Sequence, residues 1–364
     1  MIATFLLSTV FLSSPQTLPY RWVYISRSLR REKDVLEIKE IVQKAGKVGL
    51  NGVVLSAGLD RLLLQKPEYF RRLKEVKAIC EKAGLEIIPI IFSVGYGGSV
   101  LAHNRNLAAG LPVKDALFIS DGRFARHVPD PEVQIENAGL ETWKSGKALG
   151  WRFHDRPGEI SFRDGNVRRN GRFSIRFENF GKFPHGHGRI MQEVRVKPWR
   201  CYRFSCWVKT ENLGPKGCFR LLVLAEDGRN LAPFQPSVPS SSVSWCKVEC
   251  GFNSLKYRKI RLYAGVWGGR SGRFWLDDFS LREVALVNIL RRPGTPVIVR
   301  SADSHVTYEE GRDYERIFDP RLNFRFDHEG PPIKLKAGTR IRRGERVRVS
   351  YYHGIAINRG QVTV

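Results

Sequence analysis

The chain changes its hydrophobic period part-way along, and that change restricts its fold more than any other feature. From Arg21 to about Gly97, short apolar runs alternate with amphipathic segments. "RWVYIS", "NGVVLSA" and "LEIIPIIFSV" read as buried strands, while "KDVLEIKEIVQKAGK" and "PEYFRRLKEVKAICEKAG" repeat apolar residues at helical spacing. Pro67 opens the second helix and Gly84 ends it. From about Ile135 to Val284 the period becomes two. "FSIRFEN", "IMQEVRV", "CYRFSCWVK", "FRLLVLAE", "WCKVECGF", "KIRLYAGVW" and "RFWLDDFSL" are short alternating strands broken by Pro, Gly and Ser. The first pattern predicts parallel β/α units, as at the start of a (β/α)8 barrel or a doubly wound sheet. The second predicts an antiparallel sandwich or jelly roll.

Between the two regions, "LAHNRNLAAGLPVKDALFISDGRFARHVPDPEV" has no sustained period and reads as an excursion. After Val284 the chain is again strand-rich, with no linker, through "RIRRGERVRVSYYHGIAINRGQVTV". A small C-terminal β domain and a resumed barrel both fit this tail, and resumption is the sharper expectation. A closed barrel needs roughly 200–250 residues, whereas about 110 precede the sandwich and about 80 follow it. The expected fold is therefore α/β plus all-β: a partial (β/α)8-type barrel, truncated, interrupted by a β-sandwich. The expected segments are a signal peptide at 1–19, barrel at 20–130, sandwich at 131–286, and barrel resumption with a β-hairpin excursion at 287–364.

The 364 residues carry a net charge of +25, which favours anionic partners. Arg and Lys are scattered, however, and the densest clusters, "LRREK" and "RIRRGER", are short, so a nucleic-acid track is disfavoured. The apolar run Ile2–Leu12 suits a signal-peptide core, and no other stretch could span a membrane, so a secreted or periplasmic protein is expected. Six cysteines lack CxxC or zinc spacing and read as buried thiols, with a disulfide left open if the protein is exported.

In the strand-only region "ENAGLETW", "GW" (150–151), "GRFSIRF", "QEVRVKPWRCYRFSCWVKT", "SWCKVECGF" and "FWLDDFSL" follow the order of CenC-like (family 4/9-type) carbohydrate-binding modules, which the region resembles over about 150 residues. It departs from them at Leu140, where Phe is commoner, and at Trp199-Arg200, where Pro is usually followed by Gly. "YISRSL", "NGVVLSAGLD", "LAHNRNLAAGLPVKDALF" and "YYHG" resemble exported glycoside-hydrolase-like proteins whose barrel carries such an insert. The resemblance implies a carbohydrate-binding, glycoside-hydrolase-like protein on a polysaccharide or oligosaccharide, which the basic charge allows to be acidic. The alternative is a non-catalytic, secreted, lectin-like protein. It also implies a structural calcium with Glu141 and Asp277 as ligands.

Strand alternation nominates the sugar contacts. In "KIRLYAGVW" the apolar set Ile260, Leu262, Ala264 and Val266 leaves Arg261, Tyr263 and Trp267 outside. In "CYRFSCWVK" the core set Tyr202, Phe204, Cys206 and Val208 leaves Arg203 and Trp207 outside. Rings among polar side chains suit the C–H faces and hydroxyls of pyranoses. Trp275 is expected inside or at the sheet end. Loops after the barrel strands offer Arg27, Asp60, Tyr96, His103, Asn104, Tyr352 and His353 as cleft residues. No carboxyl pair suited to glycoside hydrolysis stands out, so the catalytic residues stay unassigned. Asp303-Ser304-His305, His185-Gly-His187 and "GYGGSV" read as ordinary loops.

Overall fold

A computed structural model describes residues 18–91, 98–233 and 235–355. The chain divides into two compact units, 1–104 and 105–364. In the first, β1 (Trp22–Ser26), β2 (Gly52–Ser56) and β3 (Glu86–Pro89) form a parallel sheet in that order. Helices α1 (Glu32–Lys47) and α2 (Pro67–Lys82) make the crossovers that parallel pairing requires. Val35, Ile38, Val42 and Ala45 of α1 are buried, which is the helical stripe read from the sequence. Asp34 accepts the Arg30 and Arg31 N–H groups at 2.9 and 3.2 Å and fixes the start of α1. With Ile25, Val53, Leu55, Val76 and Cys80 the stripe closes a core of its own. A short helix α3 (Gly98–His103) follows. Residues 1–17 of the expected 1–19 leader, and the "GYGGSV" loop through Gly97, lie outside the described residues. No helix of the described residues is long and apolar enough to cross a membrane.

The second unit begins with β4 (Gly110–Ser120) and β5 (Phe124–His127). A small hairpin, β6 (Trp143–Lys144) and β7 (Lys147–Ala148), leads into β8 (Phe153–His154), β9 (Ser161–Asp164), β10 (Ser174–Phe177) and β11 (Gly188–Arg195). Then come β12 (Cys201–Gly214), β13 (Phe219–Ala225), β14 (Cys246–Asn253), β15 (Lys259–Val266) and β16 (Ser271–Glu283). These strands form a five-stranded sheet, ordered β14, β12, β16, β10, β9, and a four-stranded sheet, ordered β13, β15, β11, β8. The inward residues Ile175, Phe177, Ile190, Phe204, Phe252, Leu262 and Phe274 bury one shared core. Trp275, of opposite parity to Phe274 and Leu276, is 2% exposed yet lies outside that core cluster.

The tail supplies β17 (Ile298–Ser301), β18 (Thr307–Tyr308), β19 (Ile333–Lys334) and β20 (Arg346–Gly354). Together with β4 and β5 they make a six-stranded sheet, ordered β18, β17, β20, β4, β5, β19. The sandwich therefore interrupts a sheet, as the broken rhythm suggested, but the interrupted sheet is not a barrel. Its ladders are antiparallel, and the described residues from 287 to 355 contain no helix to make a parallel crossover. The segment read as an excursion is its central strand: β4 pairs with β20 from Ile119↔Arg346 to Gly110↔Gly354. Its alternation is hidden because the strand bulges at Asp115, where φ is 57°, and the buried parity shifts from Leu111 and Val113 to Ala116, Phe118 and Ser120.

All six cysteines are free thiols, and only Cys246 is not buried. Burial pushes Cys250 up to about 12, so it stays protonated.

Candidate functional site

The outer face of the four-stranded sheet brings together several partly open rings. In β15 Ile260, Leu262, Ala264 and Val266 point into the core, which leaves Arg261 and Tyr263 outward and half-buried, with Trp267 just past the strand. Met191 lies opposite Tyr263 on β11, and Phe153 opposite Met191 on β8. The Phe153 and Tyr263 rings stand 5.9 Å apart edge to face, and Tyr263 and Trp267 are 6.3 Å apart. The Arg189 guanidinium lies 5.7 Å from the Phe153 ring and 5.8 Å from that of Trp267. Asp155 holds it through Nε at 2.8 Å and a second nitrogen at 3.1 Å, a fork that fixes its orientation. Glu193, opposite Arg261, pairs with Lys259 at 2.6 Å and with Arg152, and the Lys259 bond holds its carboxyl below the usual range.

Phe153 and Arg189 were missed in the sequence. Arg189 had a signal, since it shares the outward parity of Met191 and Glu193 in "GRIMQEV". Phe153 lies in a strand of two residues, too short to show alternation. His187 sits beside this group, and burial, then the Arg189 charge, lowers its imidazole pKa.

Trp207 and Arg203 do not join Tyr263. They lie on β12 of the five-stranded sheet, where Arg203 is buried and Trp207 half-buried. The Arg169 guanidinium lies 3.8 Å from the centre of the Trp207 ring. Arg203 is 5% exposed, donates to Glu329 at 2.9 Å, and also bonds the His328 carbonyl. Beside it, a Cβ on Gly251 would collide with the Phe326 ring, so that ring rests directly on the sheet. Alternation tells which way a side chain leaves its own strand; it does not tell which sheet the strand joins or what covers it.

Glu141 and Asp277 flank the same loop. Both Glu141 oxygens accept the Arg172 N–H at 2.9 Å. Asp277 accepts the N–H groups of Arg169 and Asp278, each at 2.8 Å. Neighbouring Asp278 takes the Arg169 guanidinium at 2.5 Å and the Asn170 amide at 2.6 Å. Donors surround these carboxylates, whereas calcium needs a shell of oxygens. Among the described residues no group of three or more His, Cys, Asp or Glu is placed to hold a metal. The arrangement fits hydrogen-bonded loop anchoring. Burial raises the Asp277 carboxyl to about 6.

Of the cleft candidates, Asp60 and His103 meet within the first unit: His103 Nε2 lies 3.2 Å from the Asp60 carbonyl. Arg27 is paired with Glu37 at 2.6 Å. Asn104 is exposed, and Tyr96 lies outside the described residues. Tyr352 and His353 belong to β20, in the second unit. His353 lines no cleft. It is fully buried, receives the Asn253 amide at 3.0 Å, and desolvation drops its pKa to about 3, leaving it neutral.

No family model matches the chain, and no curated protein matches it. Among solved structures it is similar to TmCBM61 in complex with β-1,4-galactotriose, at 18% identity and a TM-score of 0.31, over 41% of this chain and 96% of that one. It is similar to the CBM22-1 xylan-binding domain of Paenibacillus barcinonensis Xyn10C, at 16% identity and 0.31, over 40% and 90%. It is equally similar to a Stig cyclase, Fisc from Fischerella sp. TAU, at 17% identity and 0.31, over 42% and 96%. Likeness at this level reaches binding modules and a cyclase alike, so the functional argument rests on the residues of this chain.

Proposed function

We propose that the chain is a glycan-binding protein whose contact surface is the outer face of the four-stranded sheet. The observation that carries the proposal is the group of half-buried Phe153, Tyr263 and Trp267 rings with the Asp155-oriented Arg189 among them. Pyranose C–H faces stack on such rings, and an oriented guanidinium donates to hydroxyls without first losing side-chain entropy. Binding without hydrolysis is the reading the acidic groups support. A general acid needs a raised pKa, yet Glu193 is held below its usual range by Lys259, and Asp155 is committed to Arg189. This is the lectin-like alternative, and an extracellular or periplasmic setting suits it. A glycoside-hydrolase role would require carboxylates that this face does not offer.

The test is titration of the full chain with a panel of neutral polysaccharides, read by calorimetry and Trp fluorescence. Trp267→Ala should weaken binding at least ~10-fold, about 1.4 kcal/mol, with thermal stability nearly unchanged. Trp207→Ala should leave affinity intact. Equal affinity of wild type and Trp267→Ala, or no binding across the panel, would overturn the proposal.

A further inference from the structure

A second cleft, of about 840 Å³, lies in the same unit between the β11–β12 turn and the edge of the six-stranded sheet. That is a ligand-sized volume. Its lining includes Lys114, Lys197, Arg258, Arg300, Arg348 and the half-buried Trp199. The cations exceed their carboxylate partners. Arg300 pairs with Asp115 at 2.7 Å, while Lys197, at 3.0 Å, and Arg348 share the single carboxylate of Asp130. Lys114 has no ion pair among the described residues; its ammonium lies 4.8 Å from the centre of the Trp199 ring. Arg258 is exposed and likewise has no ion pair among them.

The backbone is bent to build this place. Trp199 and Asp115 both adopt left-handed conformations, at φ 55° and 57°, costly for residues with a Cβ and rare for a bulky one. The strain is held by hydrogen bonds between the two segments. The Lys114 N–H donates to the Trp199 carbonyl at 2.9 Å, and the Trp199 N–H donates to that of Leu255 at 2.6 Å. Beneath them the fully buried Arg200 donates to the Asp115 carbonyl at 2.5 Å. Its Nε sits 3.0 Å from Glu283 Oε1 without a hydrogen-bonding angle, so that N–H stays unsatisfied.

We infer that this cleft binds an anionic oligosaccharide, with Lys114 and Arg258 receiving its carboxylate or sulfate groups and the Trp199 side a sugar ring. Asp303 and Ser304 on the same wall are acceptors for hydroxyls. A run of phosphodiesters would not use them, which favours a sugar over DNA. The choice of a sugar rests on the glycan reading above; the preference for an anion does not.

The full chain would be titrated with tetragalacturonate, its methyl ester, a sulfated tetrasaccharide and an eight-residue oligothymidylate. Tetragalacturonate should bind at least ~10-fold tighter than its ester, and Lys114→Gln/Arg258→Gln should remove that advantage. Both side chains are exposed, so the double variant should keep the wild-type melting temperature. Trp267→Ala should leave tetragalacturonate binding unchanged, which separates failure of the cleft from failure of the ring face. Binding of the sulfated sugar with the same dependence on the double variant supports the site and makes sulfate its group. The inference is overturned if acid and ester bind alike, or if the double variant binds as wild type. Loss of uronate binding in Trp267→Ala, or tighter binding of oligothymidylate than of either charged sugar, would also overturn it.

Discussion

Trp275 gives the sharpest test of how the sandwich is held together, because its ring and its N–H do separable work. The ring is 2% exposed on β16, and Nε1 donates to Asp164 Oδ2 at 2.9 Å. The same oxygen receives Arg176 at 3.1 Å, and Asp164 Oδ1 takes the N–H groups of Asn166 and Val167 at 2.8 and 3.0 Å. Burial pushes the Asp164 carboxyl up, but these donors, Trp275 first among them, outweigh it and leave the pKa below its ordinary value. Trp275→Phe keeps most of the apolar volume and removes one hydrogen bond to a charged group, worth about 1.5–3 kcal/mol. Trp275→Ala also opens a cavity and should cost about 3–5 kcal/mol. A carboxyl with a depressed folded pKa adds stability above its unfolded value, near 4, and loses that contribution as pH falls through the folded value. The Phe variant raises the folded pKa, so its deficit should be large at pH 7 and shrink toward pH 3. Hydrogen exchange of β16 amides in the full chain reads this locally, without assuming that both units unfold together. A Phe deficit independent of pH, or an Ala deficit under about 1 kcal/mol, would refute the assignment.

Asp277 should tilt the pH profile the other way. Its pKa, raised by burial to about 6, gives a contribution fully present below about 4 and lost as pH rises through 6, about 3 kcal/mol in all; Asp277→Asn should flatten urea-melt stability differences across that window. Because donors fill the Glu141 and Asp277 oxygens, adding calcium or chelating it with EDTA should leave the melting temperature unchanged, and a clear calcium-induced rise would contradict that reading.

How much was legible in the sequence follows from where each piece finds its partner. The parallel sheet of β1–β3 and the sandwich strands announce themselves, because their patterns are local and one face of each is apolar. β4 does not, since its pairing with β20 is remote in sequence and its bulge at Asp115 moves the buried parity from Leu111 and Val113 to Ala116 and Phe118. The insertion was readable as a break in period, but the fold of the interrupted element was not: an apolar strand looks alike whether its neighbour runs parallel or antiparallel. The site was half legible for the same reason. Alternation found Tyr263 and Trp267, then added Trp207 and Arg203 from the other sheet. His353, read as a loop imidazole, proves to be a strand residue on the buried face of β20, in step with Val347, Val349 and Tyr351.

The sandwich is not a bead on a string, and that narrows where ligands can go. Its core continues into the six-stranded sheet as one apolar cluster. Polar ties reinforce the join: the Leu286 N–H donates to the Tyr351 hydroxyl at 2.7 Å, and the Asn253 amide to the Pro112 carbonyl at 2.9 Å. The tail also consumes half of the five-stranded sheet's outer face, where Arg203 and Gly251 meet residues 326–329. The 169–173 loop adds a second contact to that face, with Arg169 over Trp207. A segment cut at 131–286 would expose both the join and the Arg203 surface, and so would misreport stability and affinity alike. Within the second unit, the Phe153–Tyr263–Trp267 face keeps its rings partly open, and the Trp199 cleft exists only because the sandwich and the sheet are fused. Neutral and charged parts of a glycan thus have separate places to bind, the first set by one sheet's alternation and the second by the insertion itself.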